Sequence, residues 1–218
     1  AEELSLLECL DVGKTIQQSL DVIPKAAGVI RYNAEAADKL FGKVHLTGEA
    51  NLTYELCQPI GVVAGIIAWN APVNLAAMKI GPALAVGNSL VLKPAELASL
   101  STARLAELAI EAGLPKGVLN VVHGLGSTVG DTIAHHLDVD LLSFTGSTQT
   151  AKRLLMASAQ SNMKKLMLEC GGKSPSIIFE DCPDLDAAAE AVVAFAFRNQ
   201  GQVCGAGTRL LIQSSIKD

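Results

Sequence analysis

The chain has 218 residues, half of them hydrophobic and 18% charged, with a net charge of −5. That length buries a sizeable core, as one large domain or one domain plus part of another, and the composition argues against a disordered chain. The acidic balance, with no Lys/Arg cluster to offset it, argues against a nucleic-acid-binding surface.

Residues 1–42 carry helical signals in LSLLECL, TIQQSL and AEAADKLFG, with Gly42 as a stop. The first twenty residues have no basic n-region, so no signal peptide is predicted. Thr47–Gln58 is predicted to be extended. IGVVAGIIA reads as a buried strand, followed by a helix from Pro72 to about Gly87. Because Ile60–Gly87 contains no acid, a membrane span is the competing reading. Asn70, Pro72, Asn74, Lys79 and Pro82 interrupt it, and its longest apolar piece, Gly61–Trp69, is too short to cross a bilayer.

SLVLK is a second strand. LSTARLAELAIEAG is a helix with Ser99 or Ser101 as its cap and Gly113 as its stop. GVLNVV, LLSF and KLMLE are three further strands, separated by helical stretches near Gly130–Leu137 and Thr150–Ala159. This alternation predicts an α/β fold, a doubly wound parallel sheet with helices on both faces. A sixth strand (PSIIF), a helix over Asp184–Arg198, a glycine-rich loop holding Cys204 and a last strand (TRLLIQ) follow a boundary near Glu169–Gly172.

The five cysteines are odd in number and have no CxxC spacing, which suits a reducing, cytoplasmic compartment and speaks against disulfides or a zinc site. His135–His136 is expected to be solvated, since adjacent helical positions diverge, and no metal is expected.

In open parallel sheets, ligands sit at the carboxyl ends of the strands. Trp69 and Asn70 follow the first strand, Lys93 and Glu96 the second, Gly124 and Gly126 the third, Thr145–Ser147 the fourth and Glu169 the fifth. Together they predict a nucleotide-sized site. Gly124, Gly126 and Gly130 are spaced one residue longer than the dinucleotide fingerprint, so they fit a plain turn equally well. Ser147 is either a phosphate contact at a helix start or a simple N-cap. Lys93 with Glu96 is either a surface ion pair or a ribose clamp. In the latter case the carboxylate would accept both ribose hydroxyls, favouring NAD and repelling a 2′-phosphate.

AWN (Ala68–Asn70), GNSLVLKPAE, GLPKGVLNVVHG, FTGST, LECGGKSP and NQGQVCGAGTR, in that order, resemble the aldehyde dehydrogenase superfamily, and the resemblance runs over nearly the whole chain. It implies a Rossmann-like NAD-binding domain over 1–170, with 47–58 in an oligomerisation ribbon. Residues 171–218 would be the start of a catalytic domain. It further implies that Cys204 is the catalytic thiol, Glu169 the general base and Asn70 the oxyanion donor. Ile66, Trp69, Lys93, Glu96, Gly126, Gly130, Phe144, Gly146, Ser147 and Gly171 would contact the cofactor, NAD or less commonly NADP. The adenine slot would lie between the helices after the third and fourth strands.

The chemistry suits those residue types. A cysteine thiolate adds to an aldehyde, amide donors stabilise the oxyanion, and a glutamate whose pKa is raised by burial activates water to hydrolyse the thioester. The partner is then a small aldehyde, in a homo-oligomeric enzyme with neither nucleic acid nor membrane. Ala151, Gln149 and Cys170 depart mildly from the family pattern. Family members are also much longer, so this chain is expected to be truncated at both ends, inactive alone and poorly soluble. The alternative is a non-catalytic nucleotide-binding or structural module of the same fold.

Overall fold

The computed structural model describes residues 1–217. Its first two helices, α1 (Glu2–Val12) and α2 (Ile16–Ala36), pack against one another and against a later helix. Thr15 caps α2 by accepting from the Gln18 N–H, and the helix runs through Pro24. A short antiparallel pair follows, β1 (Val44–His45) and β2 (Thr53–Tyr54), all four residues exposed. The segment predicted as one extended run is thus a small ribbon whose first strand starts earlier than expected.

The central sheet is built from β3 (Val62–Ile66), β4 (Ser89–Lys93), β5 (Leu119–Val121), β6 (Leu141–Gly146) and β7 (Lys165–Cys170). All neighbours are parallel, in the order β5-β4-β3-β6-β7. The chain winds outward one way from β3 to β5 and then the other way from β6 to β7, which is the doubly wound α/β arrangement. The direction reverses between β3 and β6, where Ile66 pairs with Phe144, so a crevice opens at that point of the carboxyl edge.

Helices α3 (Pro72–Ala85) and α4 (Leu100–Glu111) cover one face, over Val63, Leu90 and Leu92. The other face is covered by a π-helical turn over Gly126–Gly130, by α5 (Asp131–His135) and by α6 (Thr148–Gln160), over Ala64, Leu142 and Phe144. The α1–α2 pair adds an outer layer, with Leu4, Ile23 and Ala26 against Val73 and Ala77 of α3. The near-continuous apolar runs of β3, β4 and β6 follow from this burial on both faces.

Two local expectations change. The helix predicted to begin near Gly130 starts earlier, as the π-helical turn at Gly126. Ser99 occupies the N-cap position of α4, but its side chain makes no capping bond. The Leu100 N–H instead donates to Asp11 Oδ2 at 2.8 Å, a carboxylate delivered from α1.

Beyond Cys170 the architecture changes. β8 (Pro175–Ile178) and β9 (Arg209–Ile212) form a separate parallel pair bridged by α7 (Leu185–Ala196), whose cap is Asp184 accepting from the Ala187 N–H. No residue of α7 is buried. Among the described residues no helix is long and apolar enough to cross a membrane.

Candidate active site

Strands β3, β4, β6 and β7 end at a cleft of about 1200 Å³. Its walls include the three residues expected to carry chemistry, Asn70, Glu169 and Cys204. They also include Ile66, Trp69, Lys93, Glu96, Gly126, Phe144, Gly146, Ser147 and Gly171. Gly130 lies in an adjoining cavity of about 270 Å³, shared with Ile66, Glu96 and Gly126. Every residue that the resemblance assigns to catalysis or cofactor contact therefore borders one of these two connected spaces, whereas Gly124, after β5, borders neither.

Asn70 enters from the turn between β3 and α3. Its Nδ2 donates to the Gln202 carbonyl at 2.7 Å, which engages one of its two N–H groups. In return, Asn199 Nδ2 donates to the Asn70 carbonyl at 3.2 Å and to the Gln202 carbonyl at 3.4 Å. The turn bearing Asn70 and the loop bearing Cys204 are thus laced together by side-chain amides. Asn199 and Gln200 both adopt left-handed backbone, at φ 51° and 57°. That conformation is costly outside glycine, though asparagine tolerates it well, and it aims the loop back toward α3. Gln200 Nε2 also reaches the Gly13 carbonyl at the end of α1, at 3.1 Å.

Glu169 sits near the end of β7, opposite Thr145. Just past it the Cys204 loop comes close, since a Cβ added at Gly172 would lie 2.9 Å from the Cys204 carbonyl oxygen. Any side chain there would push the loop away from the strand. Cys204 itself is exposed, as a nucleophile needs to be. The burial expected for Glu169 is absent: the residue is exposed, on a strand at the edge of the sheet that has no partner on its outer side among the described residues.

Two residues go beyond the sequence reading. Lys79, which there only interrupted a hydrophobic run, points from α3 into the cleft. Burial lowers its pKa below the usual 10.5, and the nearby Glu169 carboxylate partly restores it. Asn199 was part of a recognised motif without a role. An Asn-Gln-Gly run was the available signal, since that composition suits left-handed backbone.

At the other end of the cleft, Lys93 is 2% exposed, so the surface-ion-pair reading fails. Its Nζ donates to the Pro94 carbonyl at 2.9 Å and to Glu96 Oε2 at 3.4 Å. The Glu96 carboxyl is held below its ordinary range first by its own backbone N–H, against the effect of burial, and then by Lys93 and the Gly126 N–H. Ser147 is an N-cap: its Oγ accepts from the Thr150 N–H at 3.1 Å, at the start of α6.

The residues present fit a dinucleotide. Side chains built at Gly126 and Gly171 would meet no protein atom within 4 Å, so the backbone there borders open space. A Cβ at Gly146, by contrast, would lie 2.5 Å from the Phe144 ring, which keeps that strand end bare. Among the described residues no cluster of His, Cys, Asp and Glu could hold a metal ion.

Comparison with known proteins agrees with this geometry. Residues 1–218 match the aldehyde dehydrogenase family. The chain is 56% identical to the NADP/NAD-dependent aldehyde dehydrogenase PuuC of Escherichia coli, covering all of this chain and 44% of that protein. It is 48% identical to aldehyde dehydrogenase family 2 member C4 of Arabidopsis thaliana, again over all of the chain and 44% of the relative. Among solved structures, it superposes on the aldehyde dehydrogenase KauB of Pseudomonas aeruginosa with TM-score 0.96 at 54% identity. It superposes on the P. syringae indole-3-acetaldehyde dehydrogenase AldA, solved with NAD+, with TM-score 0.98 at 52% identity. Both superpositions cover all of this chain and 44% of the other. The chain thus spans a little under half the length of the relatives it matches, and throughout that length it belongs to the aldehyde dehydrogenase family.

Proposed function

We propose that this chain carries the cofactor-binding half and the nucleophile of an enzyme that oxidises an aldehyde to a carboxylic acid with NAD or NADP. The observation that carries the reading is the single cleft bordered by Cys204, Glu169 and Asn70 at one end and by Lys93, Glu96 and Ser147 toward the other.

Cys204 as thiolate adds to the aldehyde carbon: the S–C bond forms as the carbonyl π bond opens onto oxygen. The second Asn70 N–H and the Cys204 backbone N–H supply hydrogen bonds to that oxyanion, and Asn199 keeps Asn70 in place. A nicotinamide held at the crevice would supply the hydride acceptor needed for oxidation of the Cys204-bound carbon to the acyl level. Glu169 then takes a proton from water as the water adds to the acyl carbon, and the C–S bond breaks to release the acid and the thiolate. Lys93 and Glu96 would hold the adenosine ribose, and Ser147 with the first turn of α6 would face the pyrophosphate. Ile66, Phe144 and Trp69 line the crevice between them, and the small cavity between Gly126–Ala134 and α6 would take the adenine.

In the same reading, residues 1–170 are the NAD-binding domain and 171–218 open the catalytic domain. The exposed β1–β2 ribbon joins subunits of a homo-oligomer, and the five unpaired cysteines suit the cytoplasm. With Glu169 uncovered, the chain by itself binds cofactor without turnover.

Competitive thiol labelling tests this. Cys204 is expected to alkylate faster than Cys57, which is also exposed, and saturating NAD should change the Cys204 rate while leaving the Cys57 rate alone. A Cys204 rate equal to that of Cys57 and indifferent to NAD would overturn the assignment. Aldehyde-dependent NADH formation by the chain alone would overturn the claim that it is inactive.

A further inference from the structure

The small cavity beside Glu96 is bordered by a cationic side chain with no assigned role, Arg153. Thr150, Arg153, Leu154 and Ala157 of α6 border it at i, i+3, i+4 and i+7, so Arg153 lies on the helix stripe that faces the cavity. Glu96, Gly126 and Ser127 form the side toward the sheet, and Asp131 is the second acid on the wall. Asp131 Oδ1 lies 3.5 Å from His135 Nδ1 on its own helix. Among the described residues Arg153 makes no ion pair with either acid. Arg153 is exposed, and among the described residues its guanidinium makes no hydrogen bond or ion pair that an arriving anion would have to displace.

Glu96 is the group that should exclude a 2′-phosphate, yet it is partly spoken for. Its carboxylate is drawn toward Lys93 Nζ at 3.4 Å and toward backbone N–H groups, its own and that of Gly126. A carboxylate paired with a buried cation repels an incoming phosphate less than a free one does. An unpaired arginine on the facing helix supplies the opposite effect, attraction with a planar donor fork suited to phosphate oxygens. In dinucleotide sites generally, an acid selects the ribose 2′-hydroxyl and a nearby arginine accommodates the 2′-phosphate. Here both groups border one cavity.

We propose that Arg153 is a cofactor-discriminating residue that receives the 2′-phosphate of NADP in the cavity it shares with Glu96, so that this site accepts both dinucleotides. The proposal rests on the cofactor reading given above and adds to it the group that decides between the two cofactors.

The test is equilibrium binding of NAD and NADP to the full chain and to two variants, Arg153→Gln and Glu96→Gln, at low and high salt. The ratio of NADP to NAD affinity is expected to fall about tenfold in Arg153→Gln, the loss of one charge-assisted contact. It should rise in Glu96→Gln, and in the unaltered chain it should fall as salt screens the phosphate. An unchanged ratio in Arg153→Gln overturns the proposal. So does a parallel loss of both affinities, which would mean that Arg153 merely supports the helix. Failure of the unaltered chain to bind either dinucleotide overturns the cofactor reading itself, a different outcome that the NAD titration alone reveals.

Discussion

The two parts of this chain are built from similarly apolar sequence and end in opposite states. In the five-stranded sheet, Leu90, Leu92 and Leu142 are fully buried between helices on both faces. In the segment after Cys170, Ile177, Phe179, Val193, Phe195, Leu210 and Leu211 are all exposed. Among the described residues of that segment, Ala206 is the one buried hydrophobic side chain. A parallel pair of strands with one helix has too few layers to enclose a core, whereas five strands with helices on both faces have enough. Apolar composition measures how much surface wants burial; the number of layers decides whether it is obtained.

The largest test of this contrast lies where the first part buries charge. Glu8 is fully buried and paired with Lys14, and its Oε2 accepts from the Val73 N–H at 3.3 Å, which also caps α3. Glu8→Ala is expected to destabilise the chain by about 3–5 kcal/mol, because the Lys14 ammonium is left buried alone. Urea denaturation reads this, and a loss under about 1 kcal/mol would mean water reaches the pair.

Next in size is the direct comparison of two leucines. Leu142→Ala should cost about 3 kcal/mol, from a cavity between helices that cannot collapse into it. Leu211→Ala, in β9, should cost less than about 0.5 kcal/mol. Equal costs would show that the second segment is packed as firmly as the first.

Hydrogen exchange sharpens the same point without mutation. Amides of β3, β4 and β6 should exchange only through global unfolding, while those of β8 and β9 should exchange through local opening, orders of magnitude faster. Similar protection in the two sheets would break the comparison.

The smallest effect concerns pH. Lys79 has a folded-state pKa below 10.5, so the unfolded chain binds more protons in the window between the folded-state value and 10.5. Stability contributed by this group therefore rises with pH through that window and is complete above it. Lys79→Met should remove that rise from a series of thermal melts on the alkaline side, and an unchanged slope would show that the amine is well solvated.

Much of this was legible in the chain because it depends on local order. Strand β4 falls on the predicted SLVLK without a residue's difference, since an apolar run flanked by Gly87–Asn88 and Pro94 has no other reading. Placement of Lys93, Glu96, Gly126, Ser147 and Glu169 at one edge followed from parallel strands alone, as every strand then ends on the same side. The Cys204 loop was legible as a motif, and its approach to Asn70 was not: 129 residues separate Asn199 from the Asn70 carbonyl that it holds.

Tertiary structure alone decided which acids cap which helices and which residues are covered. Asp11 rather than a neighbouring serine serves α4, Glu8 serves α3, and Asp140 Oδ2 accepts from the Val62 N–H at the start of β3, at 2.8 Å. A helix or strand end needs an acceptor at a point in space, and sequence distance does not set which side chain arrives there. Exposure follows the same rule. Glu169 and the apolar face of α7 remain open because burial depends on neighbouring layers, and a residue's own chemistry states only what it would gain from being covered.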